Sequence, residues 1–244
     1  LRHEFARSRR PLVWVAGLDE AADRRAADTL ARSSGAPWLV DAGSGLRLDP
    51  PSERRLDHAE FFADRLADAD LVLQLGHHPV SLRAALALTP ARRWVVTDHP
   101  DRQDPRRQGG VHLPVAVADL ERLLGDRPLE AAPAPGWLDP LVDAQRHWRR
   151  ELTTAVDTGP TLSEAWTARE LGRRLGPDHG LMLGNSLAVR HVDALAANDR
   201  PGPVTVTSRG TSGIEGLVAQ SVGVATGLGR PTVALLGDVT VQHD

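Results

Sequence analysis

LVLQLGHHPVSLRAALALTPARRWVV, residues 71–96, is the stretch whose reading decides the fold. An apolar run from Leu71 to Leu75 breaks at a Gly-His-His-Pro turn, a helix-length segment follows from Leu82 to Leu88, and a second apolar run starts at Trp94. Short continuous apolar runs separated by helical segments are strands buried on both faces, the pattern of a parallel sheet covered above and below by helices. Toward the N-terminus the alternation repeats: Leu12 to Val15, an amphipathic segment from Asp19 to Arg32, Trp38 to Val40, then a second amphipathic segment from His58 to Ala67. Residues 1–125 therefore read as a Rossmann-like α/β domain of parallel strands, closed by a helix over Asp119 to Leu124.

Toward the C-terminus the pattern changes. GDRPLEAAPAPGW (125–137) is rich in proline and alanine without periodicity, and a long amphipathic helix is predicted from Leu138 to Val156, so 126–160 reads as a linker and connecting helix. In 161–244 a helix is predicted from Leu162 to Leu175, with Ser163 and Glu164 providing capping chemistry. Three strand–turn–helix units follow. A chain of 244 residues accommodates one large α/β domain or two of about 100 to 150 residues, and the change of pattern favours two.

Composition excludes several chemistries. There is no cysteine, which removes disulfides, thiolate nucleophiles and Cys-type metal centres; with no lysine and no tyrosine either, Schiff bases and the lysine of a nucleoside-triphosphate P-loop are absent. The formal charge of −3 is small and dispersed, giving no basic surface for nucleic acid. No apolar run approaches the roughly 20 residues that span a bilayer, and LRHEFARSRR lacks a secretory core. The expectation is a soluble, cytoplasmic protein without nucleic-acid or membrane partners. A start on Leu1 and an end shortly after Asp238 read as a fragment.

The three turns carry the chemistry: Gly184-Asn185-Ser186, then Ser208 to Gly213 with Arg209, Gly210, Thr211 and Ser212, then Gly237-Asp238. In open α/β sheets ligands bind beyond the carboxyl ends of the strands, where following helices present free N–H groups. Ser186 and Arg190, four residues apart, share a helix face; Arg190 and Arg209 suit carboxylates, and Asp238 suits a hard divalent cation. Taken singly, Ser186 and Asp238 are helix caps and the arginines solvated charges; three such turns on one sheet edge point to a site. His77-His78 reads as a loop rather than a metal pair, the tryptophans as packing, and Glu215 as a helix-start carboxylate.

GNSLAVRHVDAL (184–195), TSRGTSGIEGLVAQSVGVATGLGRPTVALLGD (207–238) and VTVQHD (239–244) together resemble the thiamine diphosphate-dependent enzymes, most closely the 2-succinyl-5-enolpyruvyl-6-hydroxy-3-cyclohexene-1-carboxylate synthases of menaquinone biosynthesis. The resemblance is tight over 184–244 and looser over PLVWVAG, APWLVDAGSGLR, LVLQLGHHPVS and VVTDHPDRQDP. It implies that 1–125 is the central domain and 161–244 the first part of the diphosphate-binding domain. It further implies thiamine diphosphate with Mg2+ (or Mn2+) held by Gly184, Asn185, Ser186, Gly210, Thr211, Ser212, Gly213, Gly237 and the metal ligand Asp238, with Ile214 propping the cofactor. Arg190 and Arg209 would take substrate carboxylates. The implied reaction decarboxylates 2-oxoglutarate and adds the succinyl-semialdehyde carbanion equivalent to isochorismate, in a homodimer or homotetramer. The isolated chain is expected to be inactive, because the family's pyrimidine-facing glutamate and its last metal ligand have no counterpart in it. The family's central-domain lysine is also missing: Leu82 follows Ser81, and Arg83 is rotated by about 100 degrees on a helix. Another thiamine-dependent 2-oxoacid decarboxylase or acetohydroxyacid-type synthase would use the same turns without the two arginines. A nucleotide- or coenzyme A-binding α/β protein would be expected to carry G-x-G-x-x-G after its first strand, where this chain has Ala16-Gly17-Leu18-Asp19.

Overall fold

The computed structural model describes residues 1–101, 103, 110–159, 162–208 and 213–244. After a short helix α1 (Arg2–Arg7), strand β1 (Pro11–Val15), helix α2 (Ala21–Ser33) and strand β2 (Trp38–Val40) begin the first sheet. It continues through β3 (Leu71–Leu75), α3 (Leu82–Ala87), β4 (Arg92–Val96), β5 (Val111–Leu113) and α4 (Val117–Leu124). All five strands are parallel, in the order β2-β1-β3-β4-β5. Side chains alternate across it: Val13 and Val15 join one apolar cluster with α2 and α4, while Leu12 and Trp14 join a second with α3. That two-sided burial explains why the strand sequences are continuously apolar.

Two segments differ from expectation. His58 to Ala67 is not an α-helix but a 3-10 stretch, Ala59–Leu66, kinked at Phe62. The proline-rich connection is packed, not free: Leu129 and Ala131 are buried in the first core, and the Ala131 and Ala134 amides donate to the Ser34 and Arg9 carbonyls at 2.8 and 2.7 Å. Helix α5 (Leu138–Leu152) likewise lies on the first sheet through Trp137, Leu141 and Ala144 before one π turn, Thr153–Asp157.

The second sheet comprises β6 (Gly180–Leu183), β7 (Val204–Thr207) and β8 (Thr232–Leu235), parallel with β6 central. Helices α6 (Glu164–Arg174), α7 (Leu187–Leu195), α8 (Leu217–Leu228) and α9 (Asp238–His243) accompany it. Ser163 caps α6 by accepting from the Trp166 amide at 3.1 Å. Its core is shared between the two halves: Ala42, Leu48 and Val80 pack with Ala168, Leu181, Leu183, Val189 and Val192.

Candidate cofactor site

Register brings the turns together. Leu183, the last residue of β6, pairs with Thr207 at the end of β7 and with Leu235 at the end of β8. Neighbouring strands lie about 4.8 Å apart, so all three following turns leave one edge side by side. Gly184 permits the approach: a Cβ there would lie 3.0 Å from a Leu236 methyl and 3.3 Å from the Leu235 carbonyl oxygen. The Asn185 side-chain amide donates to the Gly213 carbonyl at 3.0 Å, tying the first turn to the second.

A cavity of about 550 Å3 opens there, lined by Asn185, Ser186, Ile214, Gly237 and Asp238 among the residues expected from sequence. Ser186 sits at φ 69°, the one positive-φ residue other than glycine among the described residues, and its hydroxyl makes no capping bond to α7. It is exposed, and its hydroxyl is available to a ligand. Asp238 is the exposed first residue of α9, with Gly237 before it. Gly184 is buried and is not among the lining residues. Arg190 is exposed and is not among the lining residues. Arg209, Gly210, Thr211 and Ser212 lie outside the described residues.

The cavity also holds groups that the sequence reading missed. Leu187, Ala188 and His191 share the cavity-facing side of α7, and His191 Nδ1 lies 3.6 Å from a Glu164 carboxylate oxygen on α6. The i, i+4 spacing of Leu187 and His191 was the available signal. Asp244 accepts from the Gly216 amide and, at 2.6 Å, from the Val218 amide, closing the start of α8. These backbone bonds hold its carboxyl below the usual range. His243 meets Glu215 at 3.3 Å. Leu82 is exposed, and Arg83 is engaged with Asp64 at 3.4 Å.

The donor set suits a diphosphate bridged by a divalent cation. Two carboxylates (Asp238, and Glu164 paired with His191), an amide and hydroxyls are hard oxygen donors, while Ile214, Leu187 and Leu236 supply apolar wall for rings. No group of three or more His, Asp or Glu side chains among the described residues is arranged to hold a metal. A cation at Asp238 would therefore need ligand oxygens and water to complete its coordination, as magnesium commonly does. The other crevice is of different character. Where the order of strand addition reverses between the parallel neighbours β1 and β3, a cavity of about 160 Å3 is lined by Asp19, Glu20, Asp23 and Asp98 with His77. Four carboxyl side chains repel phosphate, which counts against a nucleotide there. His77 itself lies in a loop, 3.9 Å from Asp19 and edge-on to His99.

Comparison with known proteins bears on both halves. Residues 3–183 match the family model described as the middle domain of thiamine pyrophosphate. The chain is 37% identical over 243 residues to the 2-succinyl-5-enolpyruvyl-6-hydroxy-3-cyclohexene-1-carboxylate synthase of Rubrobacter xylanophilus, covering 95% of this chain and 42% of that protein. It is 32% identical over 259 residues to the same-named synthase of Chlorobaculum tepidum, 100% and 42% covered, and 39% identical over 186 residues to that of Cronobacter sakazakii, 73% and 31% covered. The chain thus spans about 42% of the length of the first two relatives. No helix among the described residues is long and apolar enough to cross a membrane.

Proposed function

The chain belongs to the thiamine pyrophosphate middle-domain family, and from that premise we propose that it forms the central domain and part of the diphosphate-binding domain of a succinyl-transferring synthase. The relatives are named as 2-succinyl-5-enolpyruvyl-6-hydroxy-3-cyclohexene-1-carboxylate synthases; in this reading, as the sequence resemblance implies, the substrates are 2-oxoglutarate and isochorismate and the cofactor is thiamine diphosphate with Mg2+ or Mn2+. The observation that carries it is the convergence of Asn185, Ser186, Ile214, Gly237 and Asp238 on one cavity at the carboxyl edge of the second sheet.

When bound, the cofactor supplies the electron sink for decarboxylation. The protein's part is orientation and charge. Asp238 would hold the cation that balances the diphosphate charge, and the Ser186 hydroxyl would donate to an anionic oxygen. Ile214 would support the cofactor ring, and Arg190 and Arg209 would address substrate carboxylates as the resemblance implies, Arg190 from outside the cavity lining. His191, paired with Glu164, borders the same space. The acidic crevice of the first sheet and its lack of a glycine-rich fingerprint favour this reading over a nucleotide or coenzyme A carrier. The functional protein in this reading is a homodimer or homotetramer in the cytoplasm.

Calorimetric titration of the full-length protein with thiamine diphosphate plus magnesium, against NAD and coenzyme A in parallel, tests the cofactor. Saturable binding of the first alone is expected, followed by carbon dioxide release from 2-oxoglutarate that depends on isochorismate for product. Binding of NAD or coenzyme A in its place would overturn the reading.

A further inference from the structure

Helix α7 carries Ser186 at its start, and it has no basic residue in its own last turn. The last four carbonyls of any helix lack intrahelical partners. Here all four are satisfied, three of them by side chains from elsewhere. Val192 O accepts from the Ala196 amide at 3.2 Å. Asp193 O accepts from Arg47 Nε at 2.9 Å, Ala194 O from His58 Nδ1 at 3.0 Å, and Leu195 O from Arg169 Nη1 at 2.9 Å. Arg47 and His58 belong to the first half of the chain, 146 and 136 residues away from their acceptors. All three donors are buried, at 1%, 0% and 3% exposure.

The clamp is itself braced. Arg47 also donates to the Asp57 carbonyl at 2.9 Å, and Asp57 is held by Arg55 at 2.7 Å. Arg169 is fixed by two bonds to Asp157, at 2.6 and 2.9 Å. The Asp193 carboxylate accepts from the Ala42 amide at 2.8 Å. Buried guanidinium groups are costly to desolvate, and an apolar core of equal volume commonly does as well for stability alone. What an apolar core lacks here is donors for three consecutive carbonyls. The two guanidinium charges also complement the negative end of the helix dipole.

We propose that Arg47, His58 and Arg169 are positioning residues that fix α7 through its last turn and so hold Ser186 and His191 in the wall of the cofactor cavity. A nine-residue helix is about 14 Å long, so a tilt of about 5 degrees about the clamped end moves its start by about 1 Å. Displacements of that size are enough to cost a binding or reacting geometry about a hundredfold. The inference rests on the cofactor reading above, but its mechanical part is independent of it.

The test compares His58→Asn, whose amide can reproduce the Nδ1 donor, with His58→Gln, whose amide is displaced from it, in the full-length protein. Thiamine diphosphate with magnesium is titrated into each, melting temperatures are recorded, and amide exchange is followed along 187–195. Expected are a loss of about tenfold in affinity for His58→Gln, near-wild-type affinity for His58→Asn, and faster exchange in α7 only in the former. Wild-type affinity and exchange in both variants, or equal losses that track melting temperature, would overturn the proposal. If the wild type binds no thiamine diphosphate, the cofactor reading fails and the exchange comparison alone decides the clamp. If His58→Gln does not fold, Arg169→Lys replaces it, since one ammonium cannot serve Asp157 and the Leu195 carbonyl together. Intact affinity and exchange in that variant again overturn the proposal.

Discussion

Ser186 combines two properties seldom found together: a backbone angle of φ 69°, ψ −127° that favours glycine, and a hydroxyl unoccupied by the helix it precedes. Such conformations cost on the order of 1–3 kcal/mol and persist where the surroundings impose them. Ser186→Gly should therefore stabilise the protein by about 1 kcal/mol relative to Ser186→Ala, measured by urea unfolding, while both variants weaken thiamine diphosphate binding. Equal stability of the two would mean that the angle carries no strain. Asp238 is exposed and begins its helix, so Asp238→Asn should leave the unfolding midpoint nearly unchanged yet weaken magnesium-dependent cofactor binding about tenfold or more. Undiminished affinity in a magnesium titration would remove Asp238 from the metal site. Both residues stood out in sequence because three turns of small, hydroxyl and acidic residues fall at successive strand ends, although each alone is an ordinary helix cap; His191 did not, since its i, i+4 spacing from Leu187 puts the two on one helix face without saying what that face meets.

Among elements, two ionisable groups link α7 and α6 to pH. Burial and the nearby Arg47 charge push His58 down to about 4 from an ordinary 6.5. The unfolded chain thus takes up this proton at higher pH than the folded one, so stability is complete above about 6.5 and falls as pH drops toward 4, by on the order of 3 kcal/mol. Asp157 behaves at lower pH. Burial alone would raise its pKa, but hydrogen bonds from Arg169 and Arg173 outweigh burial and hold it at about 2. Its contribution is present above the ordinary 3.8 and is lost as pH falls through about 2. Urea midpoints of wild type and His58→Asn between pH 7 and 4 should diverge, with the flatter profile in the variant; parallel profiles would show that His58 does not titrate in this window. The sequence supports α6 and its Ser163 cap because capping is local. It does not anticipate β5, three residues with His112 at their centre, or the 3-10 form of Ala59–Leu66, because packing partners decide both.

At the scale of the whole molecule, the two sheets are joined by a common core. Leu48 lies 2% exposed in the core of the second sheet, and added Cβ atoms at Gly172 and Gly202 would approach its side chain to 3.2 and 2.8 Å. Leu48→Ala should cost about 2–5 kcal/mol and separate a single unfolding transition into two, as seen by calorimetry. One unchanged transition would mean that the halves are coupled elsewhere. The amino-acid sequence by itself determined the parallel α/β class, the three strand-end turns and the residues upon them, because hydrophobic period and turn chemistry act over a few neighbours. Only the tertiary structure decided that the proline-rich connection packs onto the first sheet, that Arg190 stands outside the cavity while His191 lines it, and that Arg47 and His58 close the far end of the site helix. Those outcomes depend on contacts between residues distant in sequence, up to 146 positions apart for Arg47 and Asp193, where burial and the need to satisfy every carbonyl, rather than local propensity, select the partner.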